Sequence, residues 1–275
     1  MTVRPATRGP DLPGGPWAFY PDRRALILAA AAFLLSAFGA LAAGAPLAEP
    51  VYLTILRWAP LLLSGFLFNI VMSLAAMAIG TILGAGLGLL QLSGNGALRG
   101  AARFVTQLFR NSPWLVLLFL CVFLIPFEFR IAGYRILFPD WAKAIFGFSL
   151  PVMANVSEIV RGAVRSMPNG QWEACGALGL SRGQSYRLVI LPQCVKRMLP
   201  PWMNLYSLII MSTVTASVVG VNEMLTLTAQ AIAAEGSRPE LLAPFYAFAL
   251  LCFFLYCYPI GRLTLYLERR NQVAG

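Results

Sequence analysis

The sequence predicts an all-α polytopic membrane protein with six transmembrane helices and both termini cytoplasmic. Three observations lead there. The 275 residues are 59% apolar and only 12% charged, against about 25% charged in ordinary soluble domains. Mean hydropathy is +0.72, more apolar surface than so short a chain can bury in its own core. Finally, with the N-terminus inside and six crossings, sixteen of the 21 Lys and Arg fall on the cytoplasmic side, the asymmetry expected of inner loops. The net charge of +10 therefore belongs to a membrane face rather than to nucleic acid.

The elements follow in order. Residues 1–24 are rich in Pro and Gly and read as a disordered cytoplasmic tail. Residues 25–48 carry no charge and are long enough to cross a bilayer core of about 30 Å, which favours a retained helix over a cleaved signal peptide. Residues 58–98 are uncharged, and Leu61–Leu92 within them is expected as one long or tilted helix. A third segment is Asn111–Phe127. The fourth, Ala144–Ser157, is too short to span unless the helix continues through Glu158 and Arg161 to about Val164. At about 100° per residue, Asn155, Glu158, Arg161 and Arg165 fall on one stripe, which makes that extension feasible. Residues 198–222 and Leu241–Gly261 complete the six.

Several chemistries are excluded or left unsupported. The chain has no histidine, the commonest metal ligand and general base. Its five cysteines match no zinc or redox spacing and read as small core residues. It contains no GxxxxGK[ST] phosphate-binding loop. No catalytic residue, metal site or cofactor is expected.

One polar, basic stretch interrupts the apolar pattern, Glu173–Gln193, and charge counting puts it in the cytoplasm. Asn169 is expected to cap a helix through Leu178, and Gly179 to end it in the left-handed conformation. Ser181 with Gln184 forms a capping box for a second helix, which Pro192 is expected to limit. These signals alone allow either an amphipathic loop resting on lipid or a docking element for a partner.

Glu173-Ala174-Cys175, three residues, Gly179, nine residues, Val189, one residue, Leu191-Pro192 resembles EAA-x3-G-x9-I-x-LP, the signature of permease subunits of binding-protein-dependent ABC importers. Cys175 for Ala and Val189 for Ile are the departures. The flanks VSEIVRGA at Val156–Ala163, MPNGQWEA at Met167–Ala174 and Phe109-Arg110-Asn111-Ser112-Pro113 are similar to the polar amino-acid branch. The likeness covers about residues 60–265, a five-helix permease core, with the coupling loop at 166–197.

The resemblance implies a coupling helix docked in a groove of an ATPase subunit. It assigns that contact to Glu173, Ala174, Cys175, Gly179, Leu180, Leu191 and Pro192. It further implies an external solute-binding protein, a second permease subunit, and an inner-membrane location. The family's charged pair in the fifth helix is replaced here by Met211 and Ser212, so its role does not carry over.

Polar residues inside apolar segments are candidates for a substrate path. They are Asn69, Asn155, Glu158, and the i, i+4 pair Thr213 and Ser217. Each also has a packing reading: Asn69 against a partner helix, Glu158 paired with Arg161, and the hydroxyls bonded to preceding-turn carbonyls. Glu223 reads as a rim or loop residue. Gly80, Gly84 and Gly88 form a small-xxx-small stripe for close helix packing. The competing function, a secondary transporter driven by an ion gradient, lacks a visible internal repeat.

Overall fold

The structure, a computed structural model, describes residues 50–131 and 134–272. The expected tail 1–24 and helix 25–48 lie outside the described residues. Helix α1 is Val51–Leu90, α2 Gly96–Arg110 and α3 Trp114–Leu124. Strands β1 (Glu128–Ile131) and β2 (Tyr134–Leu137) pair antiparallel, with Glu128 opposite Leu137 and Arg130 opposite Arg135. Helix α4 is Asp140–Arg165, α5 Asn169–Ala177 and α6 Arg182–Gln184. A π-helical stretch, Ser185–Ile190, leads into α7, Leu191–Ser212, which tightens to a 3₁₀ helix over Thr213–Val219. Helices α8, Met224–Ala234, and α9, Pro239–Gln272, complete the bundle.

Among the described residues four helices are long and apolar enough to cross a bilayer, or five if α2 and α3, bent by 99° at their junction, count together as one span. The fold is all-α as expected, with one short hairpin added. Its alternation of charged and apolar residues over Glu128–Leu137 is the period-two pattern of a strand pair.

Several boundaries move. Helix α1 begins at Val51, ten residues before the expected Leu61, because Arg57 does not mark a loop. Its guanidinium pairs with Glu235 at the end of α8 (3.1 Å), and the Trp58 indole donates to the same carboxylate (2.8 Å). The third segment shrinks to the 11 residues of α3, about 16 Å at a helical rise of about 1.5 Å. Pro113 and Pro126 bracket it. The preceding α2 has its own caps: Asn95 Oδ1 accepts from the Ala97 amide (2.9 Å), and the Asn111 side chain donates to the Gln107 carbonyl (2.9 Å). The fourth helix does continue through Glu158 and Arg161, to Arg165.

Close packing follows from the glycine stripe of α1. A Cβ on Gly80 would meet Val152 Cγ1 at 2.4 Å, on Gly84 the Met153 carbonyl at 2.6 Å, and on Gly88 the Ser157 carbonyl at 2.8 Å. All three positions face α4, so only hydrogen atoms fit between the two backbones. Buried clusters then run along the bundle. Met72, Leu118, Phe148 and Ala216 join α1, α3, α4 and the 3₁₀ segment. Met77, Val152, Val156, Leu205 and Ile209 join α1, α4 and α7. Ala163, Val164, Met167, Ile190 and Cys194 join the end of α4 to the start of α7.

Candidate functional site

The polar stretch folds as a helix–turn–helix at the end of α4. Helix α5 starts one residue earlier than expected: Pro168 occupies the cap position, with no side-chain bond, and Asn169 is the first helical residue. Proline supplies the fixed φ that suits a helix start, so the capping side chain is not needed. At the other end Gly179 has φ +71°. The Leu180 amide donates to the Cys175 carbonyl and the Gly179 amide to the Gly176 carbonyl, both at 3.0 Å. That bond pair is a Schellman turn, which glycine enters without a Cβ penalty. The capping box is present: Gln184 N–H donates to Ser181 Oγ (3.4 Å) and Ser181 N–H to Gln184 Oε1 (2.9 Å).

Pro192 does not limit the second helix. The chain passes through the π-helical stretch and α7 begins with Pro192 in its first turn, where a missing N–H costs little. The result is one continuous helical arm from α6 into the membrane-spanning α7.

The surface of this element is divided. Cys175 is buried against the bundle, while Glu173, Ala174, Gly179 and Pro192 are exposed and Leu180 and Leu191 half-buried. Leu178 at the turn is 77% exposed and Leu188 61%. Neither was singled out by the motif. A cleft of about 470 Å³ lies beside them, lined by Trp172, Gly176, Leu180, Arg182, Ser185 and Tyr186. Trp172 and Tyr186 meet edge to face with centroids 5.2 Å apart, fixing α5 against the arm. Exposed leucines around a basic cleft make a surface that a partner groove can cover.

A second feature lies one layer deeper. A cavity of about 480 Å³ is bounded by Arg110, Asn155, Glu158, Arg197, Asn204 and apolar residues of α4 and α7. Glu158 accepts from Arg161 Nε at Oε1 (3.1 Å) and from Arg161 Nη2 at Oε2, and Arg110 Nη1 approaches the same Oε2 at 3.7 Å. The Asn155 amide donates to the Pro151 carbonyl (2.8 Å). Arg197 Nη1 donates to the Ser166 carbonyl (2.9 Å), at the C-terminal end of α4. The cavity thus holds one carboxylate between arginines, with two amide side chains alongside. The alternation of charge and amide groups suits a small solute bearing both charge signs.

Of the five candidate path residues, Asn155 and Glu158 line this cavity. Asn69 and Thr213 do not. They are fully buried and bonded to each other (Asn69 Nδ2 to Thr213 Oγ1, 2.8 Å), with Asn69 Nδ2 also donating to Glu223 Oε2 at 3.0 Å. Ser217 donates to the Val214 carbonyl (2.7 Å) and Thr213 to that of Ile210 (2.7 Å). The expectation that Thr213 and Ser217 share a helix face fails because the segment is 3₁₀, where side chains eclipse at i+3 rather than i+4. Glu223 is neither rim nor solvated loop. It is fully buried and caps α8, accepting from the Thr226 amide (2.9 Å) and the Leu225 amide (3.0 Å).

Three cavity residues carry only weak signals in the sequence. Arg110 and Arg197 are two of the sixteen cations counted on the cytoplasmic side, and Asn204 lies within the uncharged run 198–222.

Comparisons with known proteins add to this geometry. A family model described as binding-protein-dependent transport system inner membrane component matches residues 80–273. The chain is 30% identical to the octopine transport system permease protein OccM of Rhizobium radiobacter, over 77% of this chain and 88% of that protein. It is 34% identical to the probable amino-acid ABC transporter permease protein YckA of Bacillus subtilis, over 60% of this chain and 71% of that one. It is 29% identical to the L-cystine transport system permease protein TcyB of the same organism, over 77% and 86%. Among solved structures, an amino acid ABC transporter crystallised with histidines superposes with a TM-score of 0.67 at 23% identity, covering 79% of this chain and 97% of that one. The methionine transporter MetNI, facing inward, gives 0.54 at 19% identity, over 80% and 99%.

Proposed function

The chain belongs to the family of inner membrane components of binding-protein-dependent transport systems, and from that premise we propose how it works and on what. It is a multi-pass inner-membrane protein and the permease subunit of an ABC importer. Its cargo is a polar amino acid or a derivative of one, delivered by an external binding protein. The named relatives move octopine and L-cystine, which supports that class. ATP is hydrolysed on separate subunits docked at the helix–turn–helix, and a second permease subunit completes the pore.

The observation that carries this reading is the mounting of the helix–turn–helix. Met167, Ile190 and Cys194 pack it against the end of α4 and the start of α7, and those same two helices bound the charged cavity. A partner pressing on Leu178 and Glu173 would therefore move the cavity walls as rigid levers, the hinge-and-shear motion of a two-state transporter. Glu173 makes no ion pair among the described residues, which leaves its carboxylate for the partner. In the cavity, Glu158 meets a substrate ammonium, Arg110 a carboxylate, and Asn155 the remaining polar edge. Asn69, Thr213 and Ser217 serve that path indirectly, by holding the 3₁₀ segment in place.

The domain scheme goes with this proposal: a tail over 1–24, an extra helix over 25–48, a permease domain over 60–265 with its coupling loop at 166–197, and both termini cytoplasmic. Reporter fusions at each terminus test the topology. Reconstitution of the chain with its ATPase and binding protein tests the function. Uptake of the binding protein's ligand should require ATP and all three components and should survive a protonophore. Uptake by the chain alone, collapsed by the protonophore, would instead establish an ion-driven transporter.

A further inference from the structure

Helix α2 is divided into three sectors. Ala102 and Thr106 are buried against α4, where Thr106 Oγ1 lies 2.9 Å from both Gln91 Nε2 and Ser157 Oγ. Leu98, Ala101, Phe104, Val105 and Leu108 recur at helical spacing on a second sector. Phe104 there is 69% exposed and Leu98 and Leu108 about half exposed. Arg99 and Arg103, four apart, stand on the side away from that stripe, with Gly100 and Gln107. The helix contains no acidic residue, and its net charge with Arg110 is +3. Arg103 makes no hydrogen bond or ion pair among the described residues, and Arg99 only a long one to the Ser93 carbonyl (3.4 Å).

The orientation of α2 follows from its neighbours. Helix α3 runs antiparallel to α4: a Cβ on Gly147 would lie 3.3 Å from Leu118 Cα, and Lys143 Nζ donates to the Val122 carbonyl at 3.4 Å. Since α4 crosses the membrane and α2 turns from α3 by 99°, α2 lies roughly in the membrane plane. Its start follows closely on the end of α1, so it lies near a bilayer surface.

We propose that α2 is an in-plane anchor that selects anionic phospholipid, inserting Phe104 and Leu108 among acyl chains while Arg99 and Arg103 engage lipid phosphates. The opposed apolar and cationic sectors fit an interfacial helix, and charge complementarity commits the occupant to a negatively charged headgroup. A protein groove would instead need acidic partners for both arginines and an apolar cover for the stripe at once.

The test uses the full-length chain with its ATPase subunits in nanodiscs, with tryptophan placed at the stripe by Phe104→Trp. Fluorescence is titrated with phosphatidylglycerol or phosphatidylcholine carrying brominated acyl chains, and the signal of the unmodified chain is subtracted. Both lipids should quench. The relative binding constant should favour phosphatidylglycerol by about fivefold for each engaged arginine, and R99Q/R103Q should bring the ratio close to one. Leu108→Trp serves as a second reporter in case the first perturbs the helix. A ratio of one before the arginines are changed overturns the proposal. So does absence of quenching in both reporters, which would show that the stripe is covered by protein such as a second copy of the chain.

Discussion

At the scale of single residues, backbone conformation and buried polarity set what can change. Gly179 sits at φ +71°, and a Cβ there would meet nothing within 4 Å. The cost of a side chain is therefore conformational alone, about 1–2 kcal/mol for a left-handed residue. Gly179→Val should lower ATPase stimulation by loaded binding protein severalfold, while thermal unfolding of the solubilised chain stays almost unchanged. Gly176→Ala, at a helical position with equally open space, should retain coupling. Equal coupling in both variants would remove the turn from the mechanism. Asn69 is the opposite case, since it serves Thr213, Glu223 and the Met224 amide (3.1 Å) at once. Asn69→Leu leaves the buried Met224 amide without its acceptor, a cost of about 1–3 kcal/mol, and takes a donor from both Thr213 and Glu223. A marked fall in melting temperature is expected, read by thermal unfolding in detergent. Glu158→Gln keeps the side chain's shape but removes its charge from between Arg161 and Arg110. Uptake should fall at least tenfold with assembly intact, and undiminished uptake would take Glu158 out of the substrate path.

At the scale of elements, local signals were readable where the chain's own neighbours satisfy them. The left-handed Gly179 and the Ser181–Gln184 capping box are bonds closed within a few residues, and both were visible in the sequence. The fate of Pro192 was not, because whether a proline ends a helix depends on the π-helical turn before it. The glycine stripe on α1 was visible as a spacing, and the structure gives it a partner in α4. Gly84→Val would push a side chain into the Met153 carbonyl and Val156, so it should prevent recovery of a monodisperse chain. Gly86→Ala, where nothing lies within 4 Å, should be recovered like wild type on size exclusion. Helix α8 was missed because its 11 residues, Thr226, Thr228 and Gln230 among them, are too few to span. Its N-terminal signal, Glu223, looks like a loop carboxylate until its two amide partners are known.

At the scale of the whole molecule, the contacts of α4 unite the separate features. Its buried face meets the α1 glycines, its middle holds Asn155 and Glu158, and its end packs on the arm that leads to the helix–turn–helix. Tightening or loosening that end should be felt in the cavity. Cross-linking α5 to the α6 arm should therefore reduce uptake without weakening ATPase binding, as measured by co-purification. Loss of both together would point to a damaged docking surface rather than a blocked lever.

Composition, charge asymmetry and the 20-residue motif by themselves determined that this is an all-α membrane protein with a partner-docking element between its apolar segments. Those properties are sums over the chain or bonds between near neighbours, which a linear reading contains. Only the tertiary structure decided which polar residues share a space. Glu158, Arg110 and Arg197 meet because α2, α4 and α7 converge, while Asn69 and Glu223, 154 positions apart, consume each other's hydrogen-bonding capacity. A polar side chain in an apolar helix has the same appearance in sequence whether it faces a cavity or a buried partner. The difference is made by helix rotation and crossing, which long-range packing sets.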